Sequence, residues 1–278
     1  MTDRRVHFAN GSIAHSSLSG KIAGRQVMDG TLMRIGTPLA GIYASDQGRG
    51  LERQVLMGHP VTILQIKNGK GFGRTETMGY VGYFDSKAMD TWQGPTHRVR
   101  ARATLLFDEP DFKSPDPVAI SLGSLLNICG QDGRYARLAD GRYALNDHLC
   151  PCTLFESDPV LVAERLIGTP YLWGGNSAFG IDCSGLVQIA CHACNIPCPG
   201  DSDLQQAHFP AATGTYRRGD LLFWKGHVAL VCNAASLIHA NAHHMAVAYE
   251  PIDEALIRIE AQGGGPLTGH ARLLPNAR

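Results

Sequence analysis

A cysteine at position 183 lies between a glycine-rich loop at 171–180 and an apolar run at 186–190, and this junction constrains the chain most. The apolar run predicts a helix that begins near Cys183. A thiol at a helix N-terminus lies beside unpaired backbone N–H groups and the positive end of the helix dipole, which favour the nucleophilic thiolate. The same N–H groups are suited to an oxyanion hole. The alternative is a buried structural cysteine.

Two histidines downstream can supply the base that a cysteine nucleophile needs. His227 opens the apolar strand pattern of residues 227–233, and His239 lies within a second apolar pattern at 236–241. They are 12 residues apart, a spacing that suits adjacent antiparallel strands joined by a turn. A thiolate requires an adjacent imidazole, and the imidazole requires a polar group that fixes its tautomer. Cys183, His227 and His239 can fill these roles in that order, although either histidine alone is equally typical of a buried strand.

Five short motifs follow one another in an order that resembles the NlpC/P60 family of papain-like cysteine peptidases, which cut bacterial cell-wall peptides. The motifs are Gly-Thr-Pro-Tyr-Leu-Trp-Gly-Gly (168–175), Asp-Cys-Ser-Gly (182–185), Arg-Gly-Asp-Leu-Leu-Phe (218–223), Gly-His-Val (226–228) and Ile-His-Ala (238–240). The resemblance implies that Cys183 is the nucleophile, His227 the base and His239 its orienting partner. It also implies that Tyr171 lies near the nucleophile, with its hydroxyl directed at the oxyanion.

Three residues around the cysteine are candidate substrate contacts. Asp182 is suited both to cap the predicted helix and to receive a substrate ammonium, and the two roles are compatible. Ser184 can line the cleft or help to cap the helix. Trp173 is a further candidate contact, although beside two glycines it is also suited to shape the backbone.

Short strands separated by glycine and aspartate fill the N-terminal half of the chain. The patterns lie at 61–66, 79–84, 99–106, 124–128, 135–138 and 142–145. Two such stretches of about 55 residues each predict two small β-barrels. Both resemble bacterial SH3-like (SH3b) domains. Family members with this architecture use an acid and a tyrosine of the first barrel to close the cleft on a free N-terminal L-Ala, and by position the candidates are Glu52 and Tyr80. The alternatives are a solvated acid and a core tyrosine.

The C-terminal part combines helices with a sheet. Asp158 is a predicted N-cap, followed by Pro159 at the first helical position and by a stop at Gly168. A second helix is predicted over 201–207, and an antiparallel meander over 220–224, 227–232, 236–241 and 246–249. Helices on one face of such a sheet make an α+β domain.

The predicted fold class is therefore α+β, with a papain-like NlpC/P60 catalytic domain preceded by two small SH3-like β-barrels. The predicted boundaries are 1–30 for a polar, extended lead-in, 31–90 and 91–152 for the barrels, and 153–278 for the catalytic domain.

Composition argues against several classes of partner. The 25 acidic and 25 basic residues give a net charge of zero, so neither nucleic acid nor an anionic membrane is an expected partner. No run approaches the roughly 18 apolar residues of a membrane span. Residues 8–30 are too polar for a signal peptide. We therefore expect a cytoplasmic protein, and the oligomeric state stays open.

The 8 cysteines lie in apolar or helical contexts, which favours free thiols over a disulfide framework. Three cysteines at 191, 194 and 198 raise the possibility of zinc. A second pair with suitable spacing is missing, because Cys150 and Cys152 are too close together for a zinc knuckle. We expect no metal and no organic cofactor.

Together these features predict a cysteine peptidase that hydrolyses the bond from γ-D-glutamate to meso-diaminopimelate or L-Lys in peptidoglycan-derived peptides with a free N-terminal L-Ala. The predicted route is a thioester acyl-enzyme. Two alternatives remain at this stage. One is a thiol amidase or acyltransferase on the same scaffold, and the other is a cell-wall peptide-binding module without catalysis.

Overall fold

Short strands, nearly all of them antiparallel, build the N-terminal half of the chain in the computed structural model, which describes residues 2–273. The chain divides between Cys152 and Thr153 into two units, each held by its own internal contacts. Residues 1 and 274–278, at the outer ends of the predicted lead-in and catalytic domain, lie outside the described residues.

Over the described residues 2–152, the first unit contains seventeen short strands and three 3₁₀ turns, at Ser16–Leu18, Ser86–Ala88 and Asn146–His148. The strands are β1 (Ile13–His15), β2 (Gln26–Met28), β3 (Thr31–Ile35), β4 (Leu39–Tyr43), β5 (Leu51–Leu56), β6 (Pro60–Lys67), β7 (Lys70–Thr75), β8 (Val81–Asp85), β9 (Met89–Thr91), β10 (His97–Val99), β11 (Ala103–Leu106), β12 (Val118–Ser121), β13 (Leu125–Leu126), β14 (Ile128–Asp132), β15 (Tyr135–Leu138), β16 (Tyr143–Leu145) and β17 (Leu149–Pro151).

Strands β3 to β9 form one seven-stranded antiparallel sheet in the order β5-β4-β8-β7-β6-β3-β9. A tight hairpin turn joins β6 to β7, and both Asn68 and Gly69 have the positive φ that such a turn requires. One face of the sheet packs around a cluster that includes Ile42, Val55 and Phe84. The strand pattern that predicted this barrel therefore corresponds to a buried core.

The predicted lead-in, residues 1–30, is more than an extended arm. Phe8 and Ile13 are buried against Phe72 and Val81, on the face of the sheet opposite the main cluster. The backbone also joins the sheet, because the Val81 N–H donates to the carbonyl of Arg5 at 2.7 Å. These apolar residues are too widely spaced among polar ones to give a strand or helix pattern, so the sequence alone did not reveal the packing.

Strands β10 to β17 surround a second cluster, built from residues that include Val99, Leu106, Ile120 and Leu138. The single strand predicted over 99–106 is wrong, because the chain changes partners within it. Strand β10 pairs with β13 and β17, whereas β11 pairs with β12. Apolar alternation continues through both strands and carries no signal for the break.

In the part of the second unit that the structure describes, residues 153–273, four helices surround a five-stranded antiparallel sheet of order β23-β22-β21-β20-β24. The elements are α1 (Pro159–Glu164), β18 (Asn176–Ser177), β19 (Gly180–Ile181), α2 (Cys183–Ala193), α3 (Ser202–His208), β20 (Asp220–Trp224), β21 (His227–Asn233), β22 (Ser236–Asn241), β23 (Ala246–Pro251), α4 (Ile252–Ile259) and β24 (Gly269–Arg272), with a π-helical turn at Glu260–Gly264.

The predicted meander of β20 to β23 is confirmed, and so is the cap of α1, where Asp158 accepts from the Val160 N–H at 2.8 Å. The α1 helix ends at Glu164, before the predicted stop at Gly168. Helix α4 and strand β24 were not predicted. Among residues 2–273, no helix has the length and apolarity that a membrane crossing requires.

A buried carboxylate joins the edge strand β24 to β20. Asp220 accepts from His270 Nε2 at 2.7 Å and from Arg272 Nε and Nη2 at 2.8 and 2.9 Å. Burial alone would raise the pKa of Asp220, but the bonds from Arg272 and His270 outweigh it and lower the pKa to about 2. The carboxylate therefore stabilises the fold only while it is ionised.

Asp220→Asn is expected to lower the free energy of unfolding by about 3 kcal/mol at pH 7, because the amide leaves Arg272 and His270 without their anion. The folded pKa lies below the ordinary value of 3.8, so the stabilisation is present above pH 3.8 and is lost as the pH falls toward 2. Urea unfolding at several pH values should therefore show a flatter acid decline in the variant. The exposed Asp253→Asn should change stability by less than about 1 kcal/mol; equal effects of the two variants would contradict the assignment.

Candidate active site

Cys183 is the first residue of α2, and the residue before it fixes the turn. Asp182 is buried, and its Oδ1 accepts from the Gly185 N–H at 2.7 Å and from the Ser184 hydroxyl at 3.0 Å. Its Oδ2 accepts from the Gly174 N–H at 3.0 Å. The predicted N-cap is therefore present, and the same carboxylate ties the glycine-rich loop to the helix.

Glycine is required where α2 meets this loop. A Cβ on Gly185 would overlap the carbonyl oxygen of Gly175, and a Cβ on Gly175 would lie 2.6 Å from the carbonyl oxygen of Gly180. A buried hydrogen bond between Asn176 Nδ2 and Gln188 Oε1, 3.1 Å long, continues the contact one helical turn further on. The first turn of α2 thus lies directly on the loop backbone, which sets the position of the cysteine.

The two predicted histidines are in direct contact. His227 Nε2 lies 2.9 Å from His239 Nδ1, and the ring centroids are 5.1 Å apart. His227 begins β21 and is half-buried, whereas His239 lies in β22 and is fully buried. Helix α2, which begins at Cys183, packs against both strands. The hairpin predicted from their spacing therefore brings the two rings together.

Two further residues extend this pair, and the sequence analysis missed both. His239 Nε2 lies 2.9 Å from Glu250 Oε2, and Glu250 is held by Arg258, whose Nε and Nη2 each donate to it at 2.7 Å. Glu250 lies in β23 and Arg258 in α4. A single acid at the end of an alternating strand is inconspicuous, and Arg258 lies in a helix that had not been predicted. We call His227, His239, Glu250 and Arg258 the relay.

Burial sets the protonation of the relay. It lowers the pKa of His227 to about 3, with a smaller contribution from His239, and it lowers the pKa of His239 despite the hydrogen bond to Glu250. Burial alone would raise the pKa of Glu250, but the bonds from Arg258 and His239 hold it well below its usual range. Near neutral pH the free protein therefore contains two neutral imidazoles beside an ionised carboxylate.

The other residues predicted near the cysteine take different positions. Tyr171 is half-buried, and its N–H donates to the carbonyl of Met245 at 2.9 Å. The Trp173 side chain is 69% exposed, which suits a substrate contact better than a role in packing. The Ser184 hydroxyl donates to Asp182, as expected for a capping residue. The catalytic and binding roles of all three stay predictions.

Glu52 and Tyr80 belong to the first unit. Glu52 is partly exposed and forms an ion pair with Arg4 of the N-terminal segment. Tyr80 is buried in the core of the seven-stranded sheet, and its N–H donates to Thr75 Oγ1 at 3.1 Å. Tyr80 therefore has the position of a core tyrosine. The assignment of both residues to substrate binding stays a prediction.

Among residues 2–273, one group has the composition of a metal site: His239, His244 and Glu250, with ligand atoms within 4.8 Å of one another. His239 and Glu250 already bond each other as well as His227 and Arg258. A divalent cation would have to break the relay and lie close to the Arg258 guanidinium. The side chains of this group are therefore better suited to the hydrogen bonds of the relay than to binding a cation.

Comparisons with known proteins extend over both units. Residues 168–261 match the NlpC/P60 family, and residues 42–89 match the bacterial dipeptidyl-peptidase Sh3 domain. The chain is 30% identical over 245 residues to dipeptidyl-peptidase 6 of Lysinibacillus sphaericus, a match that covers 78% of this chain and 90% of the relative.

It is also 26% identical over 239 residues to the gamma-D-glutamyl-L-lysine dipeptidyl-peptidase of Bacillus cereus, covering 73% of this chain and 71% of the relative. A solved NlpC/P60 family structure from Bacillus cereus shares the fold with a TM-score of 0.74 at 20% identity, covering 88% of this chain and 100% of that one.

Gly185→Ala is expected to destabilise the second unit by about 1–3 kcal/mol, because the new methyl group must push α2 away from the loop carbonyl. The shift also moves Cys183, so its alkylation by iodoacetamide, followed by peptide mapping, should slow at least tenfold. Gly94→Ala is the control, since a Cβ there meets open space. Unchanged alkylation of Cys183 in Gly185→Ala would show that the close approach does not position the thiol.

Proposed function

The chain belongs to the NlpC/P60 family of cysteine peptidases, and we propose that it hydrolyses the bond from γ-D-glutamate to a diamino acid in peptidoglycan-derived peptides that begin with free L-Ala. The observation that carries the proposal is the bonded pair of His227 and His239 on strands that α2, with Cys183 at its start, packs against. A neutral, oriented imidazole beside a thiol is what cysteine peptidase chemistry requires.

The names of the relatives support the choice of substrate. Both are dipeptidyl-peptidases, enzymes that release a dipeptide from a free N-terminus, and one name specifies γ-D-glutamyl-L-lysine. Each match extends over both units of this chain. The dipeptide released here would be L-Ala-γ-D-Glu, and the diamino acid freed would be meso-diaminopimelate or L-Lys.

The proposed mechanism is acyl transfer. His227 takes the proton of Cys183, and the thiolate attacks the γ-carbonyl of D-glutamate. The Cys183 N–H, at the first turn of α2, and the Tyr171 hydroxyl stabilise the oxyanion. Protonated His227 then gives its proton to the leaving amine, and water hydrolyses the thioester with His227 again as base. His239 orients His227 throughout.

The remaining assignments extend the same proposal. Asp182 receives the substrate ammonium, and Trp173 contacts the peptide. The cluster enclosed by β10 to β17 is the core of a second SH3-like barrel. A cytoplasmic role in recycling cell-wall peptides is supported by buried thiols such as those of Cys150, Cys191 and Cys232, which form no disulfide, as expected in a reducing compartment.

The assignment of the site residues predicts losses of activity that differ in size between variants. Cys183→Ala should reduce kcat by more than about 100-fold while the melting temperature is retained, and His227→Ala should be nearly as damaging because the two act as one unit. His239→Gln should be milder, since an amide can still orient an imidazole. Steady-state kinetics with matched thermal denaturation tests this series. A larger loss in His239→Gln than in His227→Ala would reverse the assignment of base and orienting residue.

The substrate assignment is tested with L-Ala-γ-D-Glu-meso-diaminopimelate, its L-Lys analogue and their N-acetylated forms. We expect mass analysis to show L-Ala-γ-D-Glu and the free diamino acid from the unmodified peptides. Acetylation removes the charge that would pair with a carboxylate, so kcat/KM should fall roughly a thousandfold. Equal cleavage of free and acetylated peptides would contradict ammonium recognition, and cleavage at another bond would contradict the proposed specificity.

A further inference from the structure

The relay ends in the guanidinium of Arg258, which can only donate hydrogen bonds. A guanidinium has five N–H donors and no acceptor, so both oxygens of Glu250 must accept from Arg258. The carboxylate is buried and held ionised, so it has no proton to give. Whatever faces the remaining lone pairs of Glu250 must therefore carry a hydrogen.

His239 is the group that faces Glu250, so it must carry this hydrogen. His239 Nε2 lies 2.9 Å from Glu250 Oε2, so Nε2 carries the ring proton and donates it. A neutral imidazole has one N–H, which leaves Nδ1 of His239 as an acceptor. Full burial of the His239 side chain keeps water from offering either nitrogen another partner.

His227 must in turn donate a hydrogen bond to His239. His227 Nε2 lies 2.9 Å from His239 Nδ1, so Nε2 of His227 must be the donor and Nδ1 must be bare. We infer that Glu250, held in place by Arg258, is a positioning residue that sets the tautomers of both histidines and leaves Nδ1 of His227 as the basic nitrogen. The inference rests on the proposed function for the role of His227 as base, but not for the tautomers themselves.

The opposite tautomer is strongly disfavoured in this arrangement. It would place a bare His239 nitrogen against a carboxylate oxygen, so two acceptors would face each other in a buried site. It would also put the proton of His227 on Nδ1, where it would block the removal of the thiol proton. The same carboxylate favours the imidazolium that forms when His227 accepts that proton. Glu250 thus acts on the reaction without touching the substrate.

The native protein gives the first test, without any substitution. In ¹⁵N-labelled protein, long-range ¹H–¹⁵N correlation spectra should show Nε2–H with unprotonated Nδ1 for both His227 and His239 near neutral pH. Single His→Gln variants at the two positions assign the signals. Nδ1–H on either ring, or a mixture of tautomers, would overturn the inference.

Two matched variants separate positioning from simple ion pairing. Glu250→Gln and Arg258→Gln both break the same ion pair, but only the first replaces the carboxylate that accepts from His239 with an amide, whose Nε2 can face the ring as a donor. In Glu250→Gln we expect the second tautomer to appear in both rings and kcat to fall about 100-fold with KM within about threefold. In Arg258→Gln the tautomers should be retained and kcat should fall less than about tenfold. A native tautomer pattern in Glu250→Gln, or equal losses in the two variants, would overturn the inference.

Asp220→Asn is the control for loss of a buried carboxylate, because Asp220 also holds one histidine and one arginine, outside the relay. It should destabilise the protein without changing the tautomers of His227 and His239. The rate at which iodoacetamide alkylates Cys183 reports on proton removal by His227 and needs no peptide substrate. This rate should fall in Glu250→Gln. If the tautomer and alkylation results hold while no peptidoglycan peptide is cleaved, the proposed function fails and the inference stands.

Discussion

Strand pairing in the second unit holds the imidazoles of His227 and His239 together, and the chemistry of the site depends on it. Leu230 of β21 pairs with Ile238 of β22, and His239 of β22 pairs with Ala248 of β23. Glu250 lies two residues beyond Ala248 and so shares the face of His239, within reach of a long side chain on the diagonal. A shift of one residue in either pairing would turn these side chains to opposite faces.

The proposed nucleophile is held in place by different contacts. Cys183 is fixed by the first turn of α2, the carboxylate of Asp182 and the close backbone approach that Gly175 and Gly185 permit. None of these contacts involves the relay. The site is therefore assembled from two rigid parts, a capped helix start and a paired sheet, which meet where α2 packs on β21 and β22.

The buried groups of the relay differ in charge. It disfavours the charged forms of His227 and His239, so both stay neutral in the free protein. The carboxylate of Glu250 remains ionised in the same surroundings because Arg258 supplies two short hydrogen bonds and a compensating charge. Trp173 is exposed to solvent, whereas Tyr171 is half-buried.

The sequence by itself determined the local features of the site. The motif around Cys183, the cap at Asp182 and the strand patterns beginning at His227 and Ser236 all follow from short-range spacing, which is why each could be predicted. Only the tertiary structure decided what lies across the sheet and behind it. Glu250 and Arg258 join the site through strand register and the packing of α4, and the N-terminal segment covers the barrel through Phe8 and Ile13. These contacts link residues whose partners are set by the folded sheet, and no periodic pattern along the chain encodes them.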